Sequence, residues 1–179
     1  MKEGKLLSSQ YLTLYKMIVL YMLRRCEVPL SKSQIYDFIL EKEYTTFLTL
    51  QEVFSELASS ELVIEKTVAN RTFLEITKEG DETLKYFGNR INPSIRQQID
   101  EYLRDNSMKL RNETAIQGDY HKTAENEYTV RLVAKENGQN LVDISLPVPT
   151  EEIAQSICDK WQEKNADIYQ YLINQLMMD

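Results

Sequence analysis

With 179 residues, 42% of them hydrophobic, and only five glycines and four prolines, the chain can bury a real core as one large or two small domains, and its composition argues against long linkers or disorder. The formal net charge of −7 counts against strong non-specific nucleic-acid binding, and it is unevenly divided: residues 1–92 hold 12 Lys and Arg against 13 Asp and Glu, residues 93–179 hold 9 against 15. No segment is apolar for the ~18 residues a membrane helix needs, MKEGKLLSSQ lacks a signal-peptide core, and Cys26 and Cys158 stand far apart without CxxC spacing, so the expectation is a cytoplasmic protein with buried thiols.

In chain order, Leu12, Leu14, Tyr15, Ile18, Val19, Met22 and Leu23 predict a strongly apolar helix over Ser9–Cys26, fit for a core or a dimer seam. Arg24 and Arg25 suit its C-terminal end, and Pro29 breaks the pattern. Ser31 restarts it as an N-cap, and Ile35, Phe38 and Ile39 form the stripe of a second helix. A third helix begins near Thr49 with Leu50, Val53, Phe54 and Leu57 inward. The period then changes to alternation: Leu62 and Ile64, a turn at Ala69-Asn70-Arg71, and Phe73, Leu74 and Ile76 predict a two-stranded hairpin. Thr77 caps a short helix with Leu84 and Phe87 inward, and Asn92-Pro93 opens one running to about Asn112 on Ile95, Ile99, Tyr102 and Leu103.

The remainder reads as β, then helix. Thr114–Thr123 is a weaker strand joined through Ala124-Glu125-Asn126. Tyr128, Val130, Leu132 and Ala134 alternate inward, Asn137-Gly138 is a strong hairpin signal, and Leu141–Leu146 returns with Val142, Ile144 and Leu146 inward. Pro147 and Pro149 are expected to end the sheet. Thr150 opens a helix with Ile153, Ile157 and Trp161 on its stripe, and a last helix carries Ile168, Leu172, Ile173 and Leu176. The expected class is α+β: an N-terminal winged helix-turn-helix over 1–92, a connecting helix over 93–113, and an antiparallel β-meander with covering helices over 114–179, serving as sensor or dimerisation module.

From Tyr11 to about Leu103 the chain resembles the winged-helix transcriptional regulators, and within them the phenolic-acid-repressor type. The specific resemblance is to an uncharacterised bacterial family of about this length. It rests on Phe47-Leu48-Thr49-Leu50-Gln51 at the start of the recognition helix, Leu62-Val63-Ile64 in the wing and Ile76-Thr77-Lys78-Glu79-Gly80 at its exit. The resemblance implies a winged-helix domain followed by an α+β domain, and DNA binding as the activity. It supplies no catalytic residues and no ligand.

On that reading the third helix reads bases and the hairpin grips the backbone. Its outward positions are Thr49, Gln51, Glu52, Ser55, Glu56 and Ser59, and no Arg or Lys stands among them to pair with guanine. Candidate phosphate contacts are Lys32, Ser33, Thr45, Thr46, Lys66, Asn70 and Arg71. The partners expected are double-stranded DNA and a second copy, with the dimer seam on the first helix, the Pro93–Asn112 helix, or both. The competing expectation is a protein-interaction module that kept the winged-helix shape without binding DNA. His121 is the only histidine, with Asp119 and Tyr120 beside it, and no second His or nearby Cys completes a metal set. No Ser-His-Asp arrangement, Gly-rich phosphate loop or HExxH helix occurs, so no enzyme activity, metal or cofactor is expected.

Overall fold

The computed structural model describes residues 2–68, 71–124, 127–136 and 138–177, with side chains described from Gln10 onward. The chain is α+β and divides into two compact units, Met1–Thr67 with Arg71–Ser107, and Met108–Asp179 with Val68–Asn70. The first unit carries α1 (Lys2–Arg25), β1 (Leu30–Ser31), α2 (Lys32–Glu41), α3 (Phe47–Ser59), β2 (Val63–Val68), β3 (Arg71–Ile76), α4 (Lys78–Phe87) and α5 (Pro93–Asp105). The second carries α6 (Ser107–Ala115), β4 (Ile116–Lys122), β5 (Tyr128–Glu136), β6 (Gln139–Val148) and α7 (Glu151–Leu176).

In the first unit the expected stripes meet. Ile18, Val19 and Met22 of α1, Ile35, Phe38 and Ile39 of α2, and Leu50, Val53, Phe54 and Leu57 of α3 are all buried. Each removes a large apolar side chain from water, worth about 1.5–3 kcal/mol. Ser31 starts α2 with a capping box, its hydroxyl accepting from the Gln34 amide while the Gln34 side chain accepts from the Ser31 amide. No periodicity announces β1. Leu30 and Ser31 pair antiparallel with Leu74 and Phe73, giving a three-stranded sheet in the order β1-β3-β2. The central strand β3 therefore buries Phe73 and Leu74 in succession, whereas β2 buries Val63 and leaves Ile64 exposed, the reverse of the expected alternation. Ala69 and Asn70 of the expected turn lie outside the described residues.

Thr77 caps α4, accepting from the Gly80 amide, and its own hydroxyl donates to the Glu61 carbonyl. Leu84 turns inward as expected, but Phe87 stays exposed beneath the Arg90 guanidinium. α5 uses its stripe inside its own unit: Ile99 and Leu103 are buried, and the Tyr102 ring lies 4.8 Å from that of Phe38. Tyr21 and Arg25 of α1 both bind the Asp100 carboxylate of α5, and burial, then Asp100, pushes the Tyr21 phenol above its ordinary pKa. The expected single helix over Pro93–Asn112 is interrupted at Asn106, whose side-chain amide donates to the Tyr102 carbonyl and competes with the helical backbone pattern.

In the second unit β4, β5 and β6 form the expected antiparallel meander, with Val130 opposite Tyr120 on one side and Leu146 on the other. Glu136 pairs with Gln139, and Gly138 has φ +79°, the left-handed conformation that a two-residue hairpin turn requires; Asn137 of that turn lies outside the described residues, as do Glu125 and Asn126 of the preceding connection. The strand runs on through Pro147, which an edge strand tolerates because its missing N–H costs no ladder bond on the open side. One continuous helix, α7, covers the sheet where two were expected. Its buried stripe is Ala154, Cys158 and Trp161 rather than Ile153, Ile157 and Trp161. Gly118 explains the shift: a Cβ there would stand 3.2 Å from the Cys158 Cα, so the helix backbone approaches the sheet too closely for isoleucine. The Trp161 indole donates to the Val133 carbonyl at 3.2 Å.

Candidate nucleic-acid interface

The position of α3 is set by the turns on either side of it. Before it, Glu43 has φ +54° and the Tyr44 amide donates back to the Ile39 carbonyl; after it, Glu61 has φ +57° and the Leu62 amide donates back to the Leu57 carbonyl. Left-handed backbone at a non-glycine residue costs roughly 1–2 kcal/mol, so both turns are held by what surrounds them. Thr46 caps α3 by accepting from the Thr49 amide. Phe47 stacks on Tyr36 at 4.6 Å, and Tyr36 meets Phe54 edge-on at 5.2 Å, which ties the start of α3 to α2. Burial raises the pKa of the Tyr36 phenol.

Two opposed stripes run along α3. The buried one is Leu50, Val53, Phe54 and Leu57. Leu48, Gln51, Glu52, Ser55 and Ser59 are all exposed, and at about 100° per residue they fall on the opposite side of the helix. Thr49 and Glu56 were expected outward but sit half-buried on one flank, where Glu56 forms an ion pair with Lys16 of α1. Leu48 was missed as a surface residue. It is 75% exposed, and the i, i+3, i+4, i+7 spacing it shares with Gln51, Glu52 and Ser55 was the signal that could have found it.

Of the expected phosphate contacts, the two lysines are already engaged with carboxylates. Lys32, the first residue of α2, binds Glu65 of β2 at 2.7 Å and lies over the Phe54 ring at 5.5 Å. Lys66 binds Glu75 of β3 at 2.8 Å. Ser33 is exposed on the first turn of α2, Thr45 is half-buried, and Thr46 is exposed with its hydroxyl 3.0 Å from that of Thr49. Arg71 opens β3 at the surface, and Asn70 lies outside the described residues. The fold thus brings Lys32, Lys66 and the α3 stripe into one unit. Nothing in the sequence signals that carboxylates of the neighbouring strands hold both lysines.

Other candidates do not converge. His121 is exposed on β4, Cys158 is buried and Cys26 half-buried, and among the described residues no set of three His, Cys, Asp or Glu side chains is placed to hold a metal. Among them, no helix is long and apolar enough to cross a membrane. The chain belongs to the DUF4364 family, described as a domain of unknown function, which matches residues 15–176. No curated protein and no solved structure matches the chain.

Proposed function

We propose that the first unit is a winged helix-turn-helix and that the protein is a DNA-binding transcriptional regulator acting as a homodimer. The observation that carries this reading is the exposed stripe of α3, diametrically opposite its core stripe, on the second helix of a two-helix corner. The order α1-β1-α2-α3-β2-β3 and the sheet order β1-β3-β2 support it, because they place a two-stranded extension directly after that helix. In this reading α3 enters the major groove, Gln51, Glu52 and Ser55 meet base edges, and Lys32, Ser33, Thr45, Thr46, Thr49, Lys66, Asn70 and Arg71 meet the backbone. The apolar stripes of α1 and α5, the two helices expected to form the dimer seam, are both used within their own unit.

A second reading, docking of a protein partner, is favoured by one observation: α3 carries no cation, and Lys32 and Lys66 are paired to carboxylates. Fluorescence anisotropy with a labelled random duplex, between about 50 and 200 mM salt, separates the two. If Lys32, Lys66 and Arg71 each neutralise a phosphate, the log–log slope is about −2.7 per protomer, and Arg71→Glu makes it shallower by about one. A slope near zero overturns the DNA reading and leaves the protein partner.

A further inference from the structure

On the DNA reading, which it presupposes, we infer that the stripe of α3 selects an A·T base pair, with Leu48 against the thymine methyl and Gln51 on the adenine edge. The first ground is what the stripe can donate. Guanine presents two acceptors, N7 and O6, in the major groove, and their best partner is a cationic fork from Arg or Lys. The α3 sequence FLTLQEVFSELAS contains neither, so its charge-assisted route to guanine is absent. Gln51 supplies both donor and acceptor on a single amide, the pattern that adenine N7 and N6 complement.

The second ground is the leucine itself. Leu50, Val53, Phe54 and Leu57 supply the core face of α3 and are all buried; Leu48 contributes nothing to it and stands 75% exposed at the head of the polar stripe. Leu48 and Gln51 are three residues apart on the helix, so their side chains are neighbours about 5–6 Å apart at Cβ. In the major groove, the thymine methyl is the apolar group that distinguishes a base pair, and it sits on the same edge as the adenine N6 of its own pair. A leucine and a glutamine side by side therefore match the two halves of one A·T pair. Phe47 stands too far round the helix to join them, since its ring is stacked on Tyr36.

The test starts with selection of bound duplexes from a random pool by the full chain, followed by anisotropy on the recovered site. Every thymine is then replaced by deoxyuridine, which removes the methyl and keeps the hydrogen-bonding edges. Burial of one methyl predicts a loss of about three- to fourfold for the contacted thymine in each half-site. In Leu48→Ala, which leaves the core untouched, thymine and deoxyuridine sites bind alike; Gln51→Ala lowers the preference for A·T over G·C at that position roughly tenfold. Salt-dependent binding that ignores the methyl, or a methyl effect that persists in Leu48→Ala, overturns this inference and leaves the DNA reading standing. Failure to retain any duplex at low salt overturns both.

Discussion

Replacing Gly80 by alanine tests the way the end of the β2–β3 sheet is locked to α3. Gly80 sits in the first turn of α4, which follows Ile76, the last residue of β3, through the cap at Thr77. In an ordinary helix interior, Gly→Ala stabilises by about 1 kcal/mol. Here a Cβ would lie 2.2 Å from the Leu62 carbonyl oxygen and 2.9 Å from Cγ1 of Ile76. The oxygen is backbone, and it already accepts from the Thr77 amide at 3.1 Å, so it cannot swing aside without breaking the bond that ties the cap residue of α4 to Leu62. Overpacking of this kind costs typically about 1–3 kcal/mol, and an obstacle of backbone rather than side chain places it at the upper end. The net effect is a destabilisation of about 2 kcal/mol after subtracting the propensity gain. For a unit of this size that corresponds to roughly 10 °C in Tm. Urea unfolding followed by far-UV circular dichroism, on Gly80→Ala and wild type side by side, reads the sign directly. A variant as stable as wild type, or more so, would refute the close approach, because only the helix propensity would then remain.

Trp161→Phe should lower the stability of the second unit by about 2 kcal/mol, since the indole is 1% exposed, fills the space beneath the sheet and donates to the Val133 carbonyl; an unchanged urea midpoint would argue against that packing. Asp81→Asn tests a pH limb. Hydrogen bonds from Lys85 and Arg24 hold the Asp81 carboxyl below the usual carboxylate range, so its folded pKa is depressed. The stability it adds is therefore present above the unfolded pKa and lost as pH falls through the folded one. Wild type should exceed Asp81→Asn in Tm at neutral pH, and the two curves should converge as acid protonates the folded carboxyl; a gap independent of pH would assign the difference to something other than ionisation.

The helices whose apolar residues recur on one face were legible, because burial on one side is what that recurrence records: Ile35, Phe38 and Ile39, then Leu50, Val53, Phe54 and Leu57, are all in the core. The caps at Ser31, Thr77 and Thr150 were legible for an equally local reason, since each hydroxyl serves an amide three residues on. What failed was long-range. Two residues, Leu30 and Ser31, have no period, and only pairing with β3 makes them a strand. Two positions of the α7 stripe moved by one residue, from Ile153 and Ile157 to Ala154 and Cys158, because Gly118, on a strand far away in sequence, lets the helix come close and demands small side chains there. The same limit applies to the candidate site: Gln51, Glu52 and Ser55 were found from helical spacing, whereas the partners of Lys32, Lys66 and Glu56 lie on other elements.

Those pairings change the weight of the charge argument. Of the two glutamates on α3, Glu56 is paired with Lys16, which leaves Glu52 as the carboxylate in the exposed stripe. The ties of Lys32 to Glu65 and of Lys66 to Glu75 are between partly exposed groups, and exposed pairs contribute about 0–1 kcal/mol. On the DNA proposal, a phosphate competing for either lysine would therefore meet a small barrier. The pairs also leave little uncompensated positive charge to gather non-specific DNA, whose capture depends on releasing counterions. On the DNA proposal, affinity would therefore have to come from base edges and from engaging two half-sites at once. The homodimer is for that reason the part of the DNA proposal on which the rest depends: a strictly monomeric chain would have neither the charge nor the second site.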